Sequence, residues 1–315
     1  MADRPKKATR EAYGETLRAL GAERDDIVVL DADLSASTMT AVFGKAYPGR
    51  FFNAGIAEQN LMSVSAGLAA SGKTVFASTF AVFATGRAYD QIRLGIAHNR
   101  MNVKIVASHS GVTAGEDGAS HQAIEDIALM RVLPNMTVLV PADAIETAGA
   151  VRAAATTPGP FYIRLGRSPV PIIFDEKYKF HIGRAITVRE GKDVAIFATG
   201  YMVSISLEAA GILAGKGIAA RVINVSTIKP ADVASISAAA KECGCAVTAE
   251  EHSIIGGLGS LVAEVLAEHC PIPMKRVGIR DTFAESGTPD DLLRKYGLTA
   301  DDVVLAALEV IDRRG

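Results

Sequence analysis

The sequence predicts an α/β protein of two domains, each a mostly parallel sheet covered by helices, and three observations predict it. Short β-branched runs recur at intervals of tens of residues and are mostly apolar on both faces, as strands covered on two sides must be. Stretches of helical length rich in Ala, Leu and Glu fall between them, and that alternation calls for parallel pairing through crossover helices. The rhythm breaks once, around residues 169–184, where Pro169, Pro171 and the charged stretch Asp175-Glu176-Lys177-Tyr178-Lys179 suit an exposed linker.

In chain order, the first half is expected to hold five strands, at 27–30, 74–77, 103–107, 137–140 and 161–165. Its helices are expected at 11–20, 59–70, 87–97 and 144–154. The second half is expected to hold about four strands, at 194–198, 220–225, 246–248 and 275–279, with helices at 204–216, 231–241 and 259–269. The expected division is a first domain over 1–175, a linker over 176–190 and a second domain over 191–315.

Composition narrows the function classes. A chain of 315 residues with 49% hydrophobic and 22% charged residues has ample material for two cores and is not a disordered chain. A net charge of −2 gives no long-range attraction to nucleic acid or anionic membrane. Three cysteines, Cys243, Cys245 and Cys270, exclude a disulfide scaffold, and Cys243 and Cys245 lie too close together for a zinc knuckle. The first ten residues carry no apolar secretory core, and no run approaches the roughly 20 apolar residues of a membrane span. A reduced, cytoplasmic enzyme is expected, with no metal site of its own.

Four constellations could carry chemistry. In Asn53-Ala54-Gly55-Ile56-Ala57-Glu58-Gln59, an acid enters a helix rich in small residues. Glu58 is either a charge favoured by the helix dipole or a carboxyl in an apolar wall that can hold a proton. The segment Gly111 to Gln122 follows a strand ending in Ser108-His109 and carries three glycines, two acids and His121. Ligands of open α/β sheets gather in loops of this position. After another strand end, Phe80 and Phe83 are expected on one helical face, as core or as a stacking floor for a flat ring. Arg10, Arg164 and Arg167, with Ser37 in the segment beginning Asp31-Ala32-Asp33, form a scattered set able to bind phosphate or simply to face solvent. In the second half, Gly256-Gly257-Leu258-Gly259-Ser260 is like a dinucleotide turn but lacks the full glycine spacing.

Together these segments resemble the transketolase family of thiamine-diphosphate enzymes. Asn53 to Gln59, Ser78-Thr79-Phe80, Gly115 to Gln122 and Arg131-Val132-Leu133-Pro134-Asn135-Met136 match the family's pyrimidine-binding domain in order and spacing, and the second half resembles its C-terminal domain. The resemblance implies that Glu58 hydrogen-bonds the aminopyrimidine ring and favours the imino tautomer that takes the thiazolium C2 proton. It implies that Phe80 and Phe83 pack on that ring and that Asp33 lines the cofactor pocket. Asp117 would bind a sugar hydroxyl, and His121 would contact substrate and relay protons. His109, Ser37, Arg10 and Arg167 would hold the sugar phosphate, with His109 also in the catalytic set and Arg164 as a further phosphate candidate.

Two departures matter. Gly86 stands where many transketolases have a third ring-binding aromatic, and Tyr89 one turn on is the available substitute. No Gly-Asp-Gly occurs, and only about 50 residues precede Glu58, so the Mg-binding diphosphate domain of the family has no counterpart. The resemblance therefore implies the C-terminal subunit of a split transketolase. Its partner, an N-terminal subunit, would carry the diphosphate domain and the Mg or Ca ion, in an α2β2 assembly acting on sugar phosphates. The alternatives are a β subunit of a 2-oxoacid dehydrogenase decarboxylase, a 1-deoxyxylulose-phosphate synthase-like enzyme, and a non-catalytic subunit with a degenerate site.

Overall fold

The computed structural model describes residues 4–314. Its strands in chain order are β1 (Lys6–Ala8), β2 (Ile27–Asp31), β3 (Phe51–Asn53), β4 (Thr74–Phe80), β5 (Val103–Ser108), β6 (Thr137–Leu139) and β7 (Phe161–Arg164). They continue with β8 (Pro169–Pro171), β9 (Ile186–Arg189), β10 (Val194–Ala198), β11 (Ala220–Asn224), β12 (Thr227–Lys229), β13 (Ala246–Ser253) and β14 (Met274–Ile279). Every residue of β2, β4, β5, β7 and β10 is buried, which is the physical origin of their unbroken apolar runs.

Seven strands form one sheet in the order β12-β6-β7-β5-β4-β2-β3, and five form another in the order β14-β13-β10-β11-β9. Pairing is parallel throughout except at the edges: β9 runs antiparallel to β11, and β12 antiparallel to β6. The chain is thus α/β with two helix-covered, mostly parallel sheets. Strand β12 follows β11 in sequence yet completes the first sheet, with Thr227 opposite Leu139 and Lys229 opposite Val138. One apolar core spans the junction, from Val28, Leu61 and Ile105 to Ile223, Ile228 and Leu261.

The break in rhythm is less free than expected. Strand β8 pairs antiparallel with β1, Ala8 opposite Pro169. Just beyond it, Asp143 accepts the backbone N–H groups of Ile173 and Phe174 at 2.6 and 2.8 Å while capping helix Ala144–Thr156 through Glu146 N. Tyr178 stacks on Phe174 and donates to Glu146 at 2.8 Å. Asp175, Glu176 and Lys177 do stay exposed. Residues 186–189, expected within the linker, are instead edge strand β9, because antiparallel pairing with β11 satisfies their backbone groups.

The expected helix over 87–97 is also different. Two π-helical stretches, Phe83–Arg87 and Gln91–His98, take its place, a rare geometry that recurs frequently at functional sites. Helix Ala300–Asp312 packs on strands β13 and β14 of the second sheet, and helix Pro289–Lys295 packs against the turn Val112–Asp117. Among the described residues no helix is long and apolar enough to cross a membrane.

Candidate active site

Strands β2, β3, β4, β5 and β7 run parallel, so their carboxyl ends lie at one end of the first sheet and residues scattered over the sequence meet there. Glu58 opens helix Glu58–Ala70 and is 2% exposed. The carboxyl is not alone there, because it has a cationic partner. Arg87 Nη1 donates to both of its oxygens, at 2.9 and 2.8 Å. That guanidinium lies 4.5 Å from the Phe83 ring centroid, and Gln59 Nε2 donates to the Arg87 carbonyl at 3.3 Å. Phe83 stacks against Phe80 at 6.0 Å between centroids. Phe80 is the last residue of β4 rather than a helical neighbour of Phe83, and the His109 ring covers it at 3.8 Å. His121 presents its edge to both rings, at 6.0 and 5.2 Å. Tyr89, the available substitute for a third ring aromatic, packs against the main core.

The basic set assembles at the other end of this strip. The short β1–β8 pair sets the start of helix Thr9–Glu23 beside the segment after β7, and Gly166 N donates to Thr9 Oγ1 at 3.0 Å. Arg10 Nη1 donates to Ser37 O at 2.8 Å. Arg167 Nη1 donates to Ala114 O at 2.6 Å and to Glu116 at 2.8 Å. Burial, reinforced by the nearby charges of Arg10, Arg167 and His121, pushes the His109 imidazole down to about 3, so it is neutral at pH 7. Its Nδ1 pairs with Ser108 Oγ at 2.9 Å. Burial also lowers Arg10, and Arg167 adds to that against the pull of Glu11.

Arg164 does not join them. It is buried, donates to Asp126 at 2.7 Å and holds the carbonyls of Ala123 and Glu251, so it is an internal tie and not a phosphate ligand. Asp33 is exposed and accepts from Asn53 Nδ2 at 2.8 Å, while the buried acid of that loop is Asp31, held by Leu34 N, Thr38 and Thr40.

The loop carrying Asp117 and His121 is shaped from the second half. The Glu251 carboxylate accepts from Thr113 N at 2.6 Å. A Cβ at Gly111, where φ is +75°, would lie 2.3 Å from that carboxylate, which explains the glycine. Gln122 Nε2 donates to Gly115 O at 3.1 Å and to Glu285 O at 3.0 Å. Asp117 ends the short turn Val112–Asp117 and is exposed. His121 Nδ1 pairs with Ser120 Oγ at 2.9 Å, leaving Nε2 for other partners. Arg87 and Glu251 are the site residues that sequence reasoning missed; a lone arginine in the aromatic segment was the one signal for the first.

The dinucleotide-like turn of the second half is filled by the protein itself. Glu250 accepts from Leu258 N and Gly259 N, both at 2.7 Å, and a Cβ at Gly257 would lie 2.0 Å from its Oε2. Those glycines make room for an internal carboxylate, not a phosphate.

Arranged this way, the site offers a buried carboxyl, an aromatic wall, two histidines and a pair of arginines joined by successive contacts. Residues 5–172 match the family model "Transketolase, pyrimidine binding domain", and residues 183–303 match "Transketolase, C-terminal domain". The chain is 48% identical over 306 residues to a "Putative transketolase C-terminal section" of Methanocaldococcus jannaschii, covering 96% of each. It is 46% identical over 305 residues to a "6-deoxy-6-sulfo-D-fructose transketolase subunit" of a Clostridium species, covering 97% of this chain and 95% of that one. Among solved structures, one described as "Split gene transketolase, inactive beta4 tetramer" superposes with a TM-score of 0.92 at 57% identity, covering 98% of this chain and 99% of that chain. The chain belongs to the transketolase family.

Proposed function

We propose that the chain is one subunit of a cytoplasmic two-chain transketolase. It supplies the pyrimidine half of a thiamine diphosphate site, while a partner chain supplies the diphosphate and magnesium half in an α2β2 assembly. The observation that carries this reading is the continuous strip from Glu58 through Phe83, Phe80, His109 and His121 to Arg10 and Arg167. End-to-end similarity to a chain described as a split-gene transketolase supports it.

The residues fit the pyrimidine part of the cofactor. The Glu58 carboxyl already accepts from a planar, nitrogen-bearing group lying over Phe83, which is what an aminopyrimidine would present. Bound there, the cofactor supplies the carbon nucleophile for moving a two-carbon ketol unit from a ketose phosphate to an aldose phosphate. Glu58 holds and moves a proton at its carboxyl oxygen, in a spot closed to water. Phe80 and Phe83 give a flat apolar wall that fixes orientation, and Asp33 lines its rim. His121 is free at Nε2 to exchange a proton with a sugar hydroxyl, and neutral His109 donates or accepts a hydrogen bond without adding charge. Asp117 binds a second hydroxyl. Arg10 and Arg167, beside Ser37, grip the terminal anion.

The test is an assay of the chain reconstituted with its partner. Ketol transfer between a pentose phosphate pair is expected, and no turnover of pyruvate with an artificial electron acceptor. Pyruvate oxidation without ketol transfer would overturn the reading. A sulfonated ketose belongs in the same assay, because the Clostridium relative is named for one.

A further inference from the structure

The contact between Arg87 and Glu58 occupies the place that the proposed function gives to the aminopyrimidine. A guanidinium is flat, positively charged and rimmed with N–H donors, and here it does two things at once. It hydrogen-bonds both oxygens of a carboxyl that is 2% exposed, and it lies over the face of Phe83. These are the two surfaces assigned above to the aminopyrimidine. The arginine side chain is itself 49% exposed, so it closes the carboxyl from the solvent side and has room to leave. It is carried on the π-helical stretch Phe83–Arg87, directly after Gly86. Gly86 is exposed, and a Cβ there would meet nothing within 4 Å.

We propose that Arg87 is an internal stand-in for the aminopyrimidine, holding the cofactor half-site of the free chain in a bound-like arrangement and leaving when the cofactor enters. This inference rests on the function proposed above. The pair stabilises the exposed half-site in two ways. It gives a buried carboxylate a countercharge, and it keeps Phe83 covered until the partner's half arrives. Its cost falls on affinity: each cofactor that binds must first break the Arg87–Glu58 pair, so the apparent dissociation constant rises by the inverse of the open fraction. The departure of Arg87 also frees both Glu58 oxygens to hydrogen-bond the ring in its place.

Two measurements test this, neither of them turnover. In the free chain, arginine side-chain NMR should find the Arg87 guanidinium held, with its signals released to ordinary exchange in Glu58→Gln. Signals in Arg87 as mobile as those of exposed arginines would overturn the proposal whatever the enzyme does. In the complex with the partner chain, titration of thiamine diphosphate with Mg²⁺ should give binding about tenfold tighter in Arg87→Met than in the wild type, as expected for an open fraction near one tenth. Arg87→Lys, which keeps the charge but loses the flat face, should fall between. Equal or weaker binding in Arg87→Met would overturn the stand-in role. Absence of binding in the wild-type complex would instead overturn the function proposed above, and the free-chain NMR result would then judge the contact alone.

Discussion

The two sheets end in loops at comparable addresses, yet they treat charge in opposite ways. At the strand ends of the first sheet, Arg10, Arg167, His109 and His121 crowd together; among the described residues their countercharges are Glu116, exposed and paired with Arg167, and Glu11, whose charge acts on Arg10. At the end of β13, the acids Glu250 and Glu251 turn inward and are both fully buried. Glu250 occupies the start of helix Leu258–His269, and Glu251 reaches across to hold the loop after β5. A strand-end position in an open α/β sheet is therefore only an address. What makes one address a site is that its donors remain available, whereas the other has spent its donors on its own side chains.

Variants at the two addresses should separate cleanly. The largest effect is expected from Glu58→Gln in the reconstituted complex. Removing the carboxyl to which the proposed function gives proton transfer should lower turnover by about 10²–10⁴-fold with the assembly intact by sedimentation; near-normal rates would remove Glu58 from the chemistry. Glu250→Ala should do the reverse. Two buried N–H groups lose their acceptor, at a cost of about 2–4 kcal/mol in chemical denaturation, while the rate per folded complex is kept. Arg167→Ala should raise KM for the phosphorylated substrate by about tenfold or more and leave kcat nearly unchanged; an equal fall in kcat would mean that Arg167 acts on the reacting end.

The smallest effect is a pH slope. Burial raises Glu251 to about 7, above its ordinary carboxyl value near 4.3. A raised acid contributes stability that is complete below its unfolded value and is lost as pH rises through the folded one. Wild-type stability relative to Glu251→Gln should thus fall between about pH 4.5 and pH 7. A flat difference across that range would mean that Glu251 is not the buried acid responsible.

Much of this contrast could be read from residues, and the rest could not for identifiable reasons. Strands β2, β4, β5, β7 and β10 are buried on both faces, so their apolar runs announce them. Glu58 heads a helix, as its position ahead of Leu61 to Ala70 suggests. Strands β1, β8 and β12 are three residues each and pair with distant segments, so periodicity carries no trace of them. Yet the β1–β8 pair is what brings Arg10 beside Arg167. The glycines at 256, 257 and 259 are legible as a place of close approach, but composition does not say that Ala128 approaches the first and Glu250 the other two. Arg87 lies 29 residues from Glu58 in sequence, and only the turn after β4 joins them.

The central claim is that this chain holds half of a cofactor site. Calorimetric titration of thiamine diphosphate with Mg²⁺ into the chain alone, its partner alone and the two together tests it most directly. The prediction is that the mixture binds tightly and transfers ketol units, while the chain alone does neither. Tight binding and full ketol transfer by the isolated chain would contradict it.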